Sequence, residues 1–322
     1  MSRHLLILGW HNVEGTFCFP SPPGVGTSGI TAQFELLART GNVVSLPEAV
    51  ATLEAGGRLP ARAVAITFDD GYRDNVELAA PILAQLGLPA TFFLVPDMLS
   101  GKVYPWWEEL GWGFEHTRRL TLTWEDEELS LLGRDAATTH AIVAAGLKKV
   151  DEPTRRRLLD EIVDQLQPDD PKGRPPTPIM DWDGARKLEQ LGFTIGSHSR
   201  CHSILANESA EAQLDDLLAS RLELQDRLKG DINVLAYPNG DRGDFNQDTT
   251  TAAKSAGYQA AVTTVDGWNT AKTPRYALRR FVMYPEWRSK GFGIVPRHVL
   301  RTMRAKVPLG GAGEGSADPP RY

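Results

Sequence analysis

The sequence predicts an α/β fold built on a mainly parallel sheet. Short apolar runs alternate along the chain with helix-like patterns, which is typical of repeated βαβ units. The runs are almost continuously apolar, as strands are when helices cover both faces of a parallel sheet. The pattern leaves a closed barrel and an open sheet as alternatives. The seven predicted strands are residues 4–10, 64–68, 90–95, 193–197, 232–237, 259–264 and 278–283.

Helical patterns lie between these strands. Gly192 and Gly257 directly follow two of them, and glycine is a common residue just beyond a helix. The predicted helices are residues 31–40, 47–55, 75–86, 183–191, 209–229 and 249–256.

One segment departs from this rhythm. Residues 100–178 are too long for a plain connection, and they hold a Trp-Trp-Glu cluster, a charged helical stretch and a proline-rich run. We predict a mainly helical insertion within a single domain of residues 1–300. The sequence leaves two interpretations of this insertion open: a lid, or a solvated decoration on the surface of the domain. Residues 308–322 are rich in glycine and proline, which predicts a flexible tail.

Composition excludes some classes of partner. The net charge of −6 gives no basic surface, so we expect no nucleic-acid partner. Cys18 and Cys201 form no CxxC pair, which fits a reducing compartment. No apolar stretch approaches the ~20 residues of a membrane span, and the run at residues 5–8 is too short for a signal-peptide core. We therefore expect a cytoplasmic protein without an integral membrane segment. The sequence does not indicate its oligomeric state.

Two predicted strands end in polar clusters. One runs into Asp69 and Asp70, and another runs into His198 and His202. Alone, the first cluster is typical of a helix-capping turn and the second of a surface histidine pair. The carboxyl ends of parallel strands share one edge, however, so the clusters can converge. Asp70 and the two histidines then form a metal-ligand set that leaves positions for water and substrate, with Asp69 beside it as a base.

These clusters resemble a known family. Residues 67–71 (Thr-Phe-Asp-Asp-Gly) and 198–202 (His-Ser-Arg-Cys-His) resemble the first two motifs of NodB-type polysaccharide deacetylases, a class of carbohydrate esterase. Residues 236–240 (Ala-Tyr-Pro-Asn-Gly) resemble the third motif, usually Arg-x-Pro-Tyr-Gly. The resemblance spans roughly residues 4–285. It implies a distorted (β/α)7 barrel that removes N-acetyl groups from a glycan or glycan precursor containing N-acetylhexosamine, and it does not imply cleavage of peptide bonds.

The resemblance also implies roles for individual residues. Asp69 matches the general base, while Asp70, His198 and His202 match the ligands of one divalent metal. Zinc suits these ligands best, and nickel, cobalt or iron are the alternatives. Tyr237 and Asn239 belong to the third motif, where a backbone N–H helps to hold the oxyanion; they are our expected substrate contacts.

The chain departs from the family pattern at two places. Ala236 stands where many members have an arginine that orients the base, and residues 278–280 read Leu-Arg-Arg instead of the late Leu-x-His motif. Arginine stays protonated and is a poor acid. One branch, which includes the poly-N-acetylglucosamine deacetylases, takes its acid histidine from the first strand, after an aromatic residue. His11 follows Trp10 and is therefore our predicted acid, placed near the metal on the side away from Asp69; a purely structural histidine is the alternative.

Two other functions remain open from the sequence. Relatives of the family open cyclic amides or imides, and a closed pocket would favour that activity over an open glycan groove. The missing arginine and histidine motivate a third possibility, a catalytically silent module that binds sugar and releases no acetate.

Overall fold

The computed structural model describes residues 2–170 and 172–285. In this part of the chain, most of the strands belong to one parallel sheet. The strands are β1 (Leu5–Trp10), β2 (Asn42–Val43), β3 (Ala63–Phe68), β4 (Ala90–Leu94), β5 (Thr121–Trp124), β6 (Glu127–Ser130), β7 (Thr194–Ser197), β8 (Val234–Ala236), β9 (Ala260–Val262) and β10 (Phe281–Val282).

Helices connect the strands. The helices are α1 (Val25–Thr40), α2 (Leu46–Glu54), α3 (Ala80–Gln85), α4 (Pro96–Leu99), α5 (Trp106–His116), α6 (Arg134–Leu147), α7 (Glu152–Leu166), α8 (Trp182–Gln190), α9 (Ala210–Arg227) and α10 (Gln247–Ser255). A π-helical segment, Asn75–Ala79, leads directly into α3, and a short 3₁₀ turn, Leu205–Asn207, precedes α9.

The main sheet has eight strands and curls toward closure. Its order is β10-β1-β3-β4-β7-β8-β9, and the short β2 pairs with β3 off this path. The two ends of the sheet approach each other where Val262 of β9 forms an isolated parallel bridge with Leu278, which precedes β10. The predicted α/β fold, a distorted seven-stranded barrel, is confirmed, because each of the seven predicted runs overlaps a strand of the sheet. The two-residue β2 and the antiparallel β5–β6 hairpin were not predicted.

Both faces of the sheet are buried. Ile7, Ala65 and Phe93 lie in one apolar cluster that fills the barrel. Their neighbours in the strands face the other way, where Phe68 and Phe92 stack at 4.9 Å between ring centroids. Burial on both faces explains why these strands are almost continuously apolar.

In its described residues, the segment between α4 and α8 holds three helices and the β5–β6 hairpin. Its first helix, α5, is buried from Trp106 through Gly113. Gly111 sits so close to the N-terminal loop that an added Cβ would lie 3.0 Å from the carbonyl carbon of Phe17. This packing does not fit a solvated decoration. The boundaries of the domain and of its insertion stay predictions, and residues 308–322 lie outside the described residues.

No helix within residues 2–170 and 172–285 combines the length and apolar character needed to cross a membrane.

We predict that Phe92→Ala will lower the free energy of unfolding by about 3–5 kcal/mol, because it removes a fully buried ring and leaves a cavity. Denaturant titration measures the loss. Phe19→Ala is the matched control, since Phe19 is 42% exposed and its loss should stay within about 0.5 kcal/mol. Equal losses in the two variants would contradict the packing described here.

Candidate functional site

Three buried polar side chains converge where β3 and β7 end. Asp70 follows β3 closely, while His198 and His202 follow β7. One possible ligand atom from each lies within 4.8 Å of the others. The Nε2 atoms of His198 and His202 lie 3.3 and 3.2 Å from Asp70 Oδ1. The structure therefore brings together the three residues expected to bind metal.

Unusual backbone conformations turn two of these side chains toward the common point. Asp70 has φ 68° and His202 has φ 64°, in the left-handed region that costs a non-glycine residue about 1–3 kcal/mol. The His202 N–H donates to Ser199 Oγ at 2.9 Å, which helps to hold this turn. Such conformations persist when the surrounding contacts fix them, and they concentrate at functional sites.

Hydrogen bonding fixes the orientation of the first imidazole. His198 Nδ1 lies 2.8 Å from the carbonyl oxygen of Ala236. A carbonyl only accepts, so Nδ1 carries a proton and Nε2 faces Asp70. His202 is held differently: burial lowers its pKa to about 4, against the opposing effect of Asp70, so its ring is neutral at neutral pH. Neutral imidazole is the form that binds metals.

The cluster fits a divalent metal. Asp70 Oδ1 is buried and makes no hydrogen bond, although two imidazole nitrogens lie within 3.3 Å of it. A buried carboxylate oxygen without a donor is unfavourable, and a cation at this point would satisfy it. Two imidazoles and one carboxylate are also a donor set that zinc and related ions accept.

Asp69 lies beside the cluster in a buried ion pair with Arg280. The guanidinium donates to both carboxylate oxygens, at 2.6 Å from Nη1 to Oδ1 and 2.5 Å from Nη2 to Oδ2. It also donates to Thr67 Oγ1 and the Thr263 carbonyl. Burial by itself would raise the pKa of Asp69, but the charge of Arg280 brings that pKa below its usual value. Asp69 is therefore ionised at neutral pH.

Arg280 is the functional residue that sequence reasoning missed. Many family members have an arginine at the position of Ala236, and here Arg280, just before β10, pairs with Asp69 instead. The Ala236 carbonyl orients His198. Gly9 makes room for it, because a Cβ there would lie 2.8 Å from Arg280 Cδ. The available signal was a pair of departures from the family pattern: an arginine missing at one strand end and an unexpected one near another.

His11 reaches the site, but on the side of Asp69. Its Nε2 lies 3.8 Å from Asp69 Oδ2, and its side chain is 32% exposed. The expectation that His11 lies away from Asp69 was wrong. Strand register gives the reason: Trp10 pairs with Phe68 in parallel strands, so the residues that follow them are neighbours.

The two third-motif residues differ. Tyr237 is fully buried, its N–H donates to Val262, and its hydroxyl donates to the Tyr276 carbonyl at 2.9 Å. The N–H and hydroxyl of Tyr237 are both used in hydrogen bonds within the fold, so they are not available for the expected contact with substrate. Asn239 has φ 57°, and its buried Nδ2 makes no hydrogen bond, which leaves a donor free.

The insertion also contacts the site. The Trp107 ring lies 4.5 Å from the His202 ring, measured between centroids. Arg155 Nη2 donates to the His202 carbonyl at 3.4 Å. The sequence indicated a tryptophan cluster here, but not where it would pack.

Comparison with known proteins places this site in a family. The sequence profile described as polysaccharide deacetylase matches residues 56–261, well over half of the chain. The chain belongs to the polysaccharide deacetylase family. The matched range contains Asp69, Asp70, His198 and His202, whereas His11 and Arg280 lie outside it.

Individual members of the deacetylase family show more distant similarity. YxkH of Bacillus subtilis (strain 168), which carries the name of a polysaccharide deacetylase, is 22% identical over 232 residues, covering 72% of this chain and 55% of YxkH. The poly-beta-1,6-N-acetyl-D-glucosamine N-deacetylase of Escherichia coli (strain K12) is 35% identical over 86 residues, covering 26% of this chain and 13% of that protein. This chain thus matches little more than half the length of one relative and a small part of the other.

A solved deacetylase structure shares the fold. PplD of Streptococcus pyogenes, determined in complex with acetate, superposes with a TM-score of 0.61 at 17% identity. The match covers 95% of this chain and 100% of PplD.

We predict that Arg280→Gln will lower the free energy of unfolding at neutral pH by about 3–5 kcal/mol, because it leaves Asp69 as an unpaired buried charge. Denaturant titration measures the change. Arg279→Gln is the control, since this neighbouring side chain is exposed and should change stability by about 0.5 kcal/mol or less. The ion pair would lose its assigned importance if both variants were equally stable.

Proposed function

We propose that this polysaccharide deacetylase family member hydrolyses the N-acetyl group of an N-acetylhexosamine unit in a glycan or glycan precursor and releases acetate. One observation carries the proposal: an ionised, arginine-paired carboxylate lies beside a two-histidine, one-carboxylate cluster whose buried oxygen lacks a partner. The name of the similar E. coli protein supports N-acetylglucosamine as the sugar.

Asp70, His198 and His202 would hold the metal. A divalent ion bound there supplies a Lewis acid for the acetyl carbonyl and lowers the pKa of water. Zinc is our first expectation from the ligand types, and nickel, cobalt and iron are the alternatives. Both the identity of the metal and a cytoplasmic location stay predictions from the sequence.

Asp69 is the proposed base. Arg280 makes one hydrogen bond to each of its oxygens, and a carboxylate oxygen has a further lone pair, so Asp69 retains capacity to accept a proton. The same pairing keeps Asp69 deprotonated in a buried place. The free donor of Asn239 is the remaining third-motif group for contact with substrate.

His11 is the proposed acid. An amine leaves an amide only when its nitrogen is protonated as the C–N bond breaks. The 3.8 Å separation between His11 Nε2 and Asp69 Oδ2 supports this role, because the proposed donor then lies next to the proposed base. A proton taken up by Asp69 would need only a small movement to pass to His11 and then to the leaving nitrogen.

The rival functions differ in support. Arg280 removes one of the two reasons for a silent sugar-binding module, because the base keeps an arginine partner. His11, at the site, supports a histidine acid in place of the missing late motif. A cyclic amide or imide hydrolase would use the same residues, so substrate tests must separate it from a deacetylase.

The direct test measures acetate release from N-acetylglucosamine oligomers and a nucleotide-linked N-acetylglucosamine, with ring opening of a cyclic imide as the competing assay. We expect acetate release that a chelator abolishes and zinc, cobalt or nickel restores. His198→Ala should lose most of its metal by elemental analysis, while His140→Ala, a histidine of the insertion, should retain it. Glycan binding without acetate would support the silent module, and preferred ring opening would support the imide hydrolase.

His11→Ala tests the acid. We expect turnover on the N-acetyl amide to fall about 10²–10⁴-fold, because the leaving amine loses its proton donor. Metal content should not change. An activated acetate ester should be affected much less, since its leaving group needs little protonation. Equal losses on amide and ester would rule out His11 as the acid, and Asp69→Asn, which removes the base, should impair both substrates.

A further inference from the structure

The insertion supports the metal-site cluster through His202. Trp107 of α5 packs on the His202 ring at 4.5 Å between centroids, and Arg155 of α7 donates to the His202 carbonyl. Both side chains come from the segment that interrupts the barrel. One of the three ligands is therefore held by residues outside the family's sequence motifs.

His202 depends on such support more than His198 does. The His198 ring is oriented by its hydrogen bond to the Ala236 carbonyl. His202 Nδ1 is buried and makes no hydrogen bond, and its backbone is in the strained left-handed region. Strained conformations persist only where neighbours fix them. The Trp107 ring, the Asp70 carboxylate and the His198 ring are thus the contacts that orient the His202 ring, and Trp107 is the one that the insertion supplies.

A buried hydrogen-bond chain fixes Trp107 in turn. Trp107 Nε1 donates to the Tyr72 hydroxyl at 2.7 Å, and that hydroxyl donates to Glu108 Oε1 at 2.8 Å. Glu108 has no exposed surface, and its other oxygen accepts the Cys18 N–H at 3.3 Å. Tyr72 lies two residues after Asp70, so this chain of hydrogen bonds connects the end of β3 with the end of β7, the two strands that supply the proposed ligands.

We propose that Glu108 is a positioning residue for the metal centre: by anchoring Tyr72 and Trp107, it holds His202 in the orientation that binds a divalent cation. This inference rests on the metal site of the proposed function. It makes the insertion a structural part of that site, in place of either a movable lid or a decoration. When a residue that orients a metal ligand is replaced, metal affinity commonly falls by about 10–100-fold.

The experiment titrates the metal-free full chain with zinc in competition with a chromophoric chelator. Glu108→Leu removes the acceptor at similar volume and should weaken zinc binding about 10–100-fold. Glu108→Gln keeps an oxygen that can accept from Tyr72, so it should restore most of the affinity. Tyr72→Phe removes only the hydroxyl and should reproduce much of the loss. The Glu108→Leu/Tyr72→Phe double variant should lose little more zinc affinity than Glu108→Leu alone, because both residues belong to the same hydrogen-bond chain.

Glu109→Leu is the matched control. Glu109 is the next residue of α5 and is also buried, but it pairs with Arg156 and Arg174 instead of Tyr72. Its replacement should lower thermal stability and leave zinc affinity unchanged. The proposal fails if folded Glu108→Leu and Tyr72→Phe bind zinc like the unmodified chain, or if Glu109→Leu weakens binding equally. Should Glu108→Leu not fold, Tyr72→Phe decides. An unmodified chain that binds no zinc would instead overturn the proposed metal site.

Discussion

The buried ion pair between Asp69 and Arg280 is the interaction on which the rest of the site depends. It joins the carboxyl end of β3 to the segment entering β10 across the intervening strand β1, where Gly9 makes room for the arginine side chain. The two ends of the sheet meet nearby, through the bridge between Val262 and Leu278. The guanidinium also connects these two ends, because it donates a hydrogen bond to the Thr263 carbonyl. Breaking a pair this deeply buried costs far more than its net contribution to stability, because either partner alone is an uncompensated charge.

Local sequence patterns predicted most of the fold and the ligand cluster. Each strand is an apolar run a few residues long, and Asp70, His198 and His202 come shortly after such runs, so their meeting at one edge follows from parallel topology. Pairing between distant residues was not predictable in this way. Asp69 and Arg280 are 211 positions apart, and no local pattern indicates that the two face each other. The side on which His11 lies depended on the register of β1 against β3, which the sequence alone does not specify.

The insertion is a second case in which local sequence patterns do not predict contacts between distant residues. Its length and composition predicted a helical segment, but its purpose depends on which buried groups it meets. Trp107 would pass for an ordinary core tryptophan if its ring did not lie on His202 and its N–H did not reach Tyr72. Buried polar chains need every member satisfied, so residues such as Glu108 are tied to their partners more strictly than apolar neighbours are.

The charge balance explains why the proposed base, Asp69, should be paired with an arginine. A carboxyl group as buried as Asp69 would otherwise gain a proton, since burial raises its pKa, and a protonated carboxyl cannot act as a base. Arg280 prevents this at the cost of basicity, because a lowered pKa makes Asp69 a weaker proton acceptor. That cost is tolerable only where the water to be deprotonated is itself made acidic, which is what a cation held by Asp70 and the histidines would do. Two carboxylates and one guanidinium leave the site negative. A divalent ion would make it positive, which would suit the negative charge that develops on the acetyl oxygen in the proposed reaction. The proposed base with its arginine partner and the proposed metal-ligand cluster are therefore chemically interdependent.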